Sequence, residues 1–176
     1  MKKILIIIGI LTALILSCTT ANAAADSKLL SALEIFPETI TGTDEPVTKA
    51  EFSYIAAKIM GSGERKPVNS QFLDVDESNE FSGYIQYLAN IGIAAGGDDG
   101  CFNPESKITQ ETAYAIMIRC MGYGEYIARE GGYPDGCRKV AGWLGINKSI
   151  AVQDGFMTQK GVIGFIRNAV EVKYQM

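Results

Sequence analysis

Apolar residues recur at helical spacing in several stretches of this chain. Phe81, Ile85, Leu88 and Gly92 fall at i, i+4, i+7 and i+11, which marks one face of a helix. Phe52, Ile55, Ala56, Ile59 and Met60 describe a second helix that stops at Gly61. Ala113 to Ile118 is an unbroken run of apolar and aromatic residues, and a helix apolar all round is a buried one. Val162, Ile163, Phe165, Ile166, Ala169 and Val170 predict another helix. Shorter patterns cover Leu29, Leu30, Ala32, Leu33 and Phe36, and the stretch from Cys137 to Ile146. Between them, residues 62–70 and 124–136 read as polar, glycine-containing connectors.

The helix starts repeat. Thr48 and Glu51 have capping-box spacing: the threonine side chain can accept from the amide of Glu51, and the glutamate can reach back. Thr109 is a candidate N-cap with Glu111 placed well for the helix dipole, and Met157-Thr158-Gln159 opens the last helix. Val47-Thr48, Ile108-Thr109 and Met157-Thr158 are separated by 61 and 49 residues, which indicates an internal repeat. An all-α fold follows, with the three helices after these threonines at its centre.

The most informative segment runs from Phe72 to Gly122. It reads F-x-D-V at Phe72, a helix ending in Ala89-Asn90-Ile91-Gly92-Ile93, then Gly96-Gly97-Asp98-Asp99-Gly100, Phe102-Asn103-Pro104 and Ile108-Thr109-Gln110-Glu111. In order and spacing this resembles an S-layer homology module. Imperfect copies flank it. The resemblance implies tandem modules packed as a pseudo-trimer: a degenerate first module over 24–65, a complete second over 72–123 and a degenerate third over 137–174.

It also implies a ligand. In the family the residue after the threonine is usually arginine, which lines a groove between modules and binds an acidic, pyruvate-bearing wall polysaccharide through a bidentate contact. The matching positions here are Lys49, Gln110 and Gln159, none of them arginine. Lysine keeps the charge without the fork, and glutamine keeps only a neutral donor. These are either glycan contacts or solvent-facing first-turn residues. The loop of Gly96, Gly97, Asp98, Asp99 and Gly100 can likewise be read two ways: as backbone amides open to a sugar or anion, or as a tight turn. Asp74, Asp76 and Ser78 echo a calcium loop, but Asn79 and Ile85 stand where that loop needs glycine and glutamate.

Charge and composition narrow the classes. The net charge is −4 over 176 residues, with no histidine. No basic stretch suggests nucleic acid, and the usual general base is missing. No catalytic constellation, metal set or cofactor motif appears. Carboxylates such as Glu77 and Glu80 read as solvated, and nothing singles out an acid pair for glycoside cleavage by a wall-active hydrolase. Trp143, beside Leu144-Gly145-Ile146, reads as core or partly buried packing, and most of the tyrosines as amphipathic packing residues.

The first 23 residues read as a secretory signal: Lys2-Lys3, an apolar run from Ile4 to Leu16, and Ala21-Asn22-Ala23 as the cleavage site. A rival cut lies before Cys18, where Ile15-Leu16-Ser17-Cys18 resembles a lipoprotein box and would place the protein on a membrane. Cys101, Cys120 and Cys137 allow one disulfide without fixing the pair. The expected protein is a secreted, non-enzymatic component of the cell wall surface that binds wall secondary polysaccharide. The alternative is a protein–protein adaptor or surface scaffold whose partner is another envelope protein.

Overall fold

The computed structural model describes residues 35–172. The expected signal segment, Cys18 and the helical pattern from Leu29 to Leu33 lie outside the described residues. So does the end of the third repeat.

The chain is mostly helical. Its elements are α1 (Lys49–Ile59), α2 (Ser82–Asn90), α3 (Gln110–Cys120), α4 (Gly124–Arg129), α5 (Asp135–Leu144), strands β1 (Val152–Gln153) and β2 (Phe156–Met157), and α6 (Gln159–Val172). The helix starts obey local chemistry. Thr48 and Glu51 form a complete capping box, with the Thr48 hydroxyl accepting from the Glu51 amide at 3.1 Å and Glu51 accepting from the Thr48 amide at 2.8 Å. Thr109 caps α3 through the amide of Thr112, and Thr158 caps α6 through the amide of Gly161.

The pattern needs correction in three places. Gly92 is not part of the α2 face. It follows the helix with φ +72°, the left-handed residue that ends it, while Ile93 donates back to the Leu88 carbonyl. The supposed connector 124–136 contains α4, which buries Ile127. The lead into α6 is a short antiparallel hairpin, β1 with β2, turned by Asp154 at φ 52° and Gly155 at φ 83°. Asp-Gly between short strands is the sequence of such a turn.

The three helix-leading segments meet. Val47 donates to the Met157 carbonyl (2.9 Å), Met157 to the Ile108 carbonyl (3.0 Å), and Ile108 to the Val47 carbonyl (2.8 Å), so three backbone bonds close a ring. Val47, Ile108 and Met157 are all buried. A second set lies one step outward, where Lys49 donates to Ser106, Gln110 to Gly155 and Gln159 to Glu45. Beneath the ring, Phe165 of α6 stacks near Phe52 of α1 (6.2 Å between centroids) and Tyr114 of α3 (5.4 Å). Ala113 to Ile118 are buried around the whole circumference of α3, as the apolar run requires. The outer helices α2 and α5 pack on α1 and α3 respectively.

Candidate functional site

The ring creates three junctions, and each places one of the three residues that follow a capping threonine. At the first, Lys49 of α1 faces the loop of the central repeat. Its ammonium donates to the Phe102 carbonyl at 2.7 Å and sits 4.0 Å from the centre of the Phe102 ring. Burial pushes its pKa down, opposed by the charges of Asp74 and Asp99. The four amides of the first turn of α1 are also occupied. Lys49 bonds Ser106, Ala50 bonds Pro104, and Glu51 and Phe52 bond Thr48. That helix end therefore has no free donor for an anion.

At the junction of α6 with the chain before α1, Gln159 is 6% exposed. Its side-chain oxygen accepts from the amides of Thr41 (2.9 Å), Gly42 (3.0 Å) and Thr43 (3.2 Å), and its side-chain nitrogen donates to the Thr39 carbonyl at 3.1 Å. Far from facing solvent, it pins a distant loop. At the remaining junction, Gln110 is half-buried beside Gly155. Its neighbour Glu111 is bridged at 2.9 Å to Arg138 of α5, which also holds Asp135.

The glycine loop is exposed throughout, and it is built as a turn. Gly97 donates to the Cys101 carbonyl, Gly100 to the Gly97 carbonyl, and the Asp99 carboxylate takes the Cys101 amide. A side chain on Gly96 would meet the Cys101 carbonyl at 2.8 Å and the Phe72 ring at 2.9 Å. Asp98 stands exposed at the tip. The Asp74 carboxylate accepts from Phe102 (2.7 Å) and Asn103 (2.6 Å). Burial raises its pKa, but those backbone bonds and the Lys49 charge outweigh it and hold the carboxyl below its usual range. Asp76 turns back onto the amide and hydroxyl of Ser78.

One groove of about 320 Å³ opens beside the start of α1. Thr39, Thr48, Asn79 and Phe81 line it with three glutamates, Glu51, Glu80 and Glu105, and among the described residues its lining contains no lysine or arginine. Its charge suits a neutral or cationic ligand better than an acidic one. Sequence reasoning missed this groove, because its walls come from segments far apart in the chain.

Two other expectations change. Trp143 is 61% exposed, because it lies on the outer face of α5 while Val140 and Ala141 take the inner one. Cys101, Cys120 and Cys137 are free thiols. Burial pushes the Cys120 thiol up to about 12.

Residues 71–113 match the family model of the S-layer homology domain, the family to which the central segment pointed. Over 134 residues the chain is 24% identical to the Middle cell wall protein of Brevibacillus brevis, an alignment covering 74% of this chain and 12% of that protein. It is 24% identical over 135 residues to the Surface layer protein of Brevibacillus choshinensis, covering 75% of this chain and 12% of that one. A third relative is the Cell surface protein of Thermoanaerobacter kivui, 29% identical over 86 residues, or 47% of this chain and 11% of that protein. The chain thus spans only about an eighth of the length of the first two.

Proposed function

We propose that this chain works at the outer face of the bacterial cell envelope as a non-enzymatic docking unit of three S-layer homology modules, and that its partner is another envelope protein. The family match and the surface-protein relatives support the location. The closed ring among Val47, Ile108 and Met157 supports a pseudo-trimeric reading of the modules. The observation that carries the choice of partner is the state of the residues after the capping threonines. Lys49 is committed to Phe102 and Gln159 to the Thr39–Thr43 loop, so two of the three family contact positions brace the protein itself. The acidic groove beside α1 adds charge of the wrong sign for an acidic polysaccharide.

A second reading keeps the wall polysaccharide as ligand. It rests on Lys49, whose ammonium has three donors and spends one on Phe102. The test is capture of the protein by purified wall sacculi before and after removal of wall polysaccharide, with calorimetry of Lys49→Ala and Gln110→Arg against that polysaccharide. The adaptor reading expects capture by surface protein that survives polysaccharide removal, and parent-like behaviour of both variants. Loss of capture with the polysaccharide, a Lys49→Ala penalty of about 1–3 kcal/mol and a gain from Gln110→Arg would overturn it in favour of the glycan.

A further inference from the structure

We propose that the Thr41–Gly42–Thr43 loop is an anion-receiving nest and that Gln159 is its built-in occupant, closing this junction to outside carboxylates. Three consecutive backbone amides converge on one oxygen, at 2.9, 3.0 and 3.2 Å. The loop can do this because Gly42 sits at φ +83°, so that successive N–H groups point to one side. Such a concavity recognises an anionic oxygen, and charge-assisted bonds to it are stronger than bonds to a neutral carbonyl. Here the atom at its focus is the amide oxygen of Gln159, 118 residues away from Thr41.

The rest of the junction fits a plug and not an open site. Gln159 is 6% exposed, and its amide nitrogen is tied to the Thr39 carbonyl at 3.1 Å, a bond a carboxylate could not make. The amides of Gln159 and Lys160 are spent on the Glu45 and Thr43 carbonyls. A cation stands nearby: Lys160 pairs with Asp44 at 2.6 Å, with its side chain 44% exposed. That cation is already balanced by Asp44, so the pull of the nest on an anionic oxygen comes from its three amides, and a neutral side chain of the protein itself fills it. An outside carboxylate enters only where that side chain is removed. This inference goes beyond the proposed function and holds whichever envelope partner the protein docks to, because its test uses no wall component.

The experiment uses the full chain and sodium acetate, with sodium chloride at equal ionic strength as the control. Gln159→Ala is expected to unfold several degrees below the parent and to recover part of that loss saturably with acetate, while the parent responds to acetate as it does to chloride. In amide NMR spectra, Thr41, Gly42 and Thr43 of the parent should stay in place on acetate addition and those of the variant should move. Gln159→Glu covers the case in which the alanine variant does not fold. It puts a charged oxygen in the nest, which strengthens those three bonds, and sets its second oxygen against the Thr39 carbonyl where the donor stood, so its unfolding midpoint at neutral pH should lie above that of Gln159→Ala. Indifference of the alanine variant to acetate, titration of the parent's loop amides by acetate, or a Gln159→Glu midpoint at or below that of Gln159→Ala would overturn the proposal.

Discussion

Phe165 is the side chain whose loss tests the architecture most directly. It is fully buried on α6 and touches aromatic partners on both other central helices, Phe52 and Tyr114. Phe165→Ala removes that bridge and leaves a cavity beside the Phe52 and Tyr114 rings. Core Phe→Ala changes cost about 3–5 kcal/mol. Total stabilities of domains lie at about 5–15 kcal/mol, so the variant keeps only a fraction of its reserve. At roughly 3 °C per kcal/mol for a chain of this size, the unfolding midpoint should fall by about 9–15 °C. Urea titration followed by far-ultraviolet circular dichroism and by tyrosine fluorescence measures the free energy. Both probes should move together, because the three helices share one core. If only a helical fraction equal to α6 melts early while the fluorescence transition stays put, α6 is an appendage and the three-way packing is wrong. A loss below about 1 kcal/mol would refute the cavity reasoning as well.

Two further outcomes follow from the titratable groups. The Asp74 carboxyl is held below its usual range in the folded state, so its stabilising contribution is present above the unfolded value near about 4 and is lost as pH falls through the lower folded value; Asp74→Asn should flatten the acid limb of the stability–pH curve, and an unchanged limb would refute the assignment. Cys137 is buried and the Cys120 thiol is raised to about 12, so neither should react with a thiol reagent at pH 8 until the protein is denatured, and prompt labelling of Cys120 in the native protein would contradict its placement.

Much of this protein is written in local sequence. Thr48 with Glu51, Thr109 and Thr158 set the helix starts because a capping side chain reaches only two or three residues along the chain. The apolar run of α3 announced its burial, and Asp154-Gly155 carried a hairpin signal that the helical pattern around it obscured. The resemblance of residues 72–122 was legible for the same reason, since its glycines, proline and cap lie within one short segment. What only the tertiary structure decided is which distant partner each exposed-looking residue would meet. Lys49 is 53 residues from Phe102, and Gln159 is 118 from Thr41. Nothing in the first turn of either helix distinguishes a side chain that will face solvent from one that will brace a loop. Trp143 shows the converse, since its place beside Leu144-Gly145-Ile146 suggested core or partly buried packing while the rotation of α5 turned it outward. Periodicity fixes which residues share a helix face, but the face that is covered depends on the neighbours that folding brings to it.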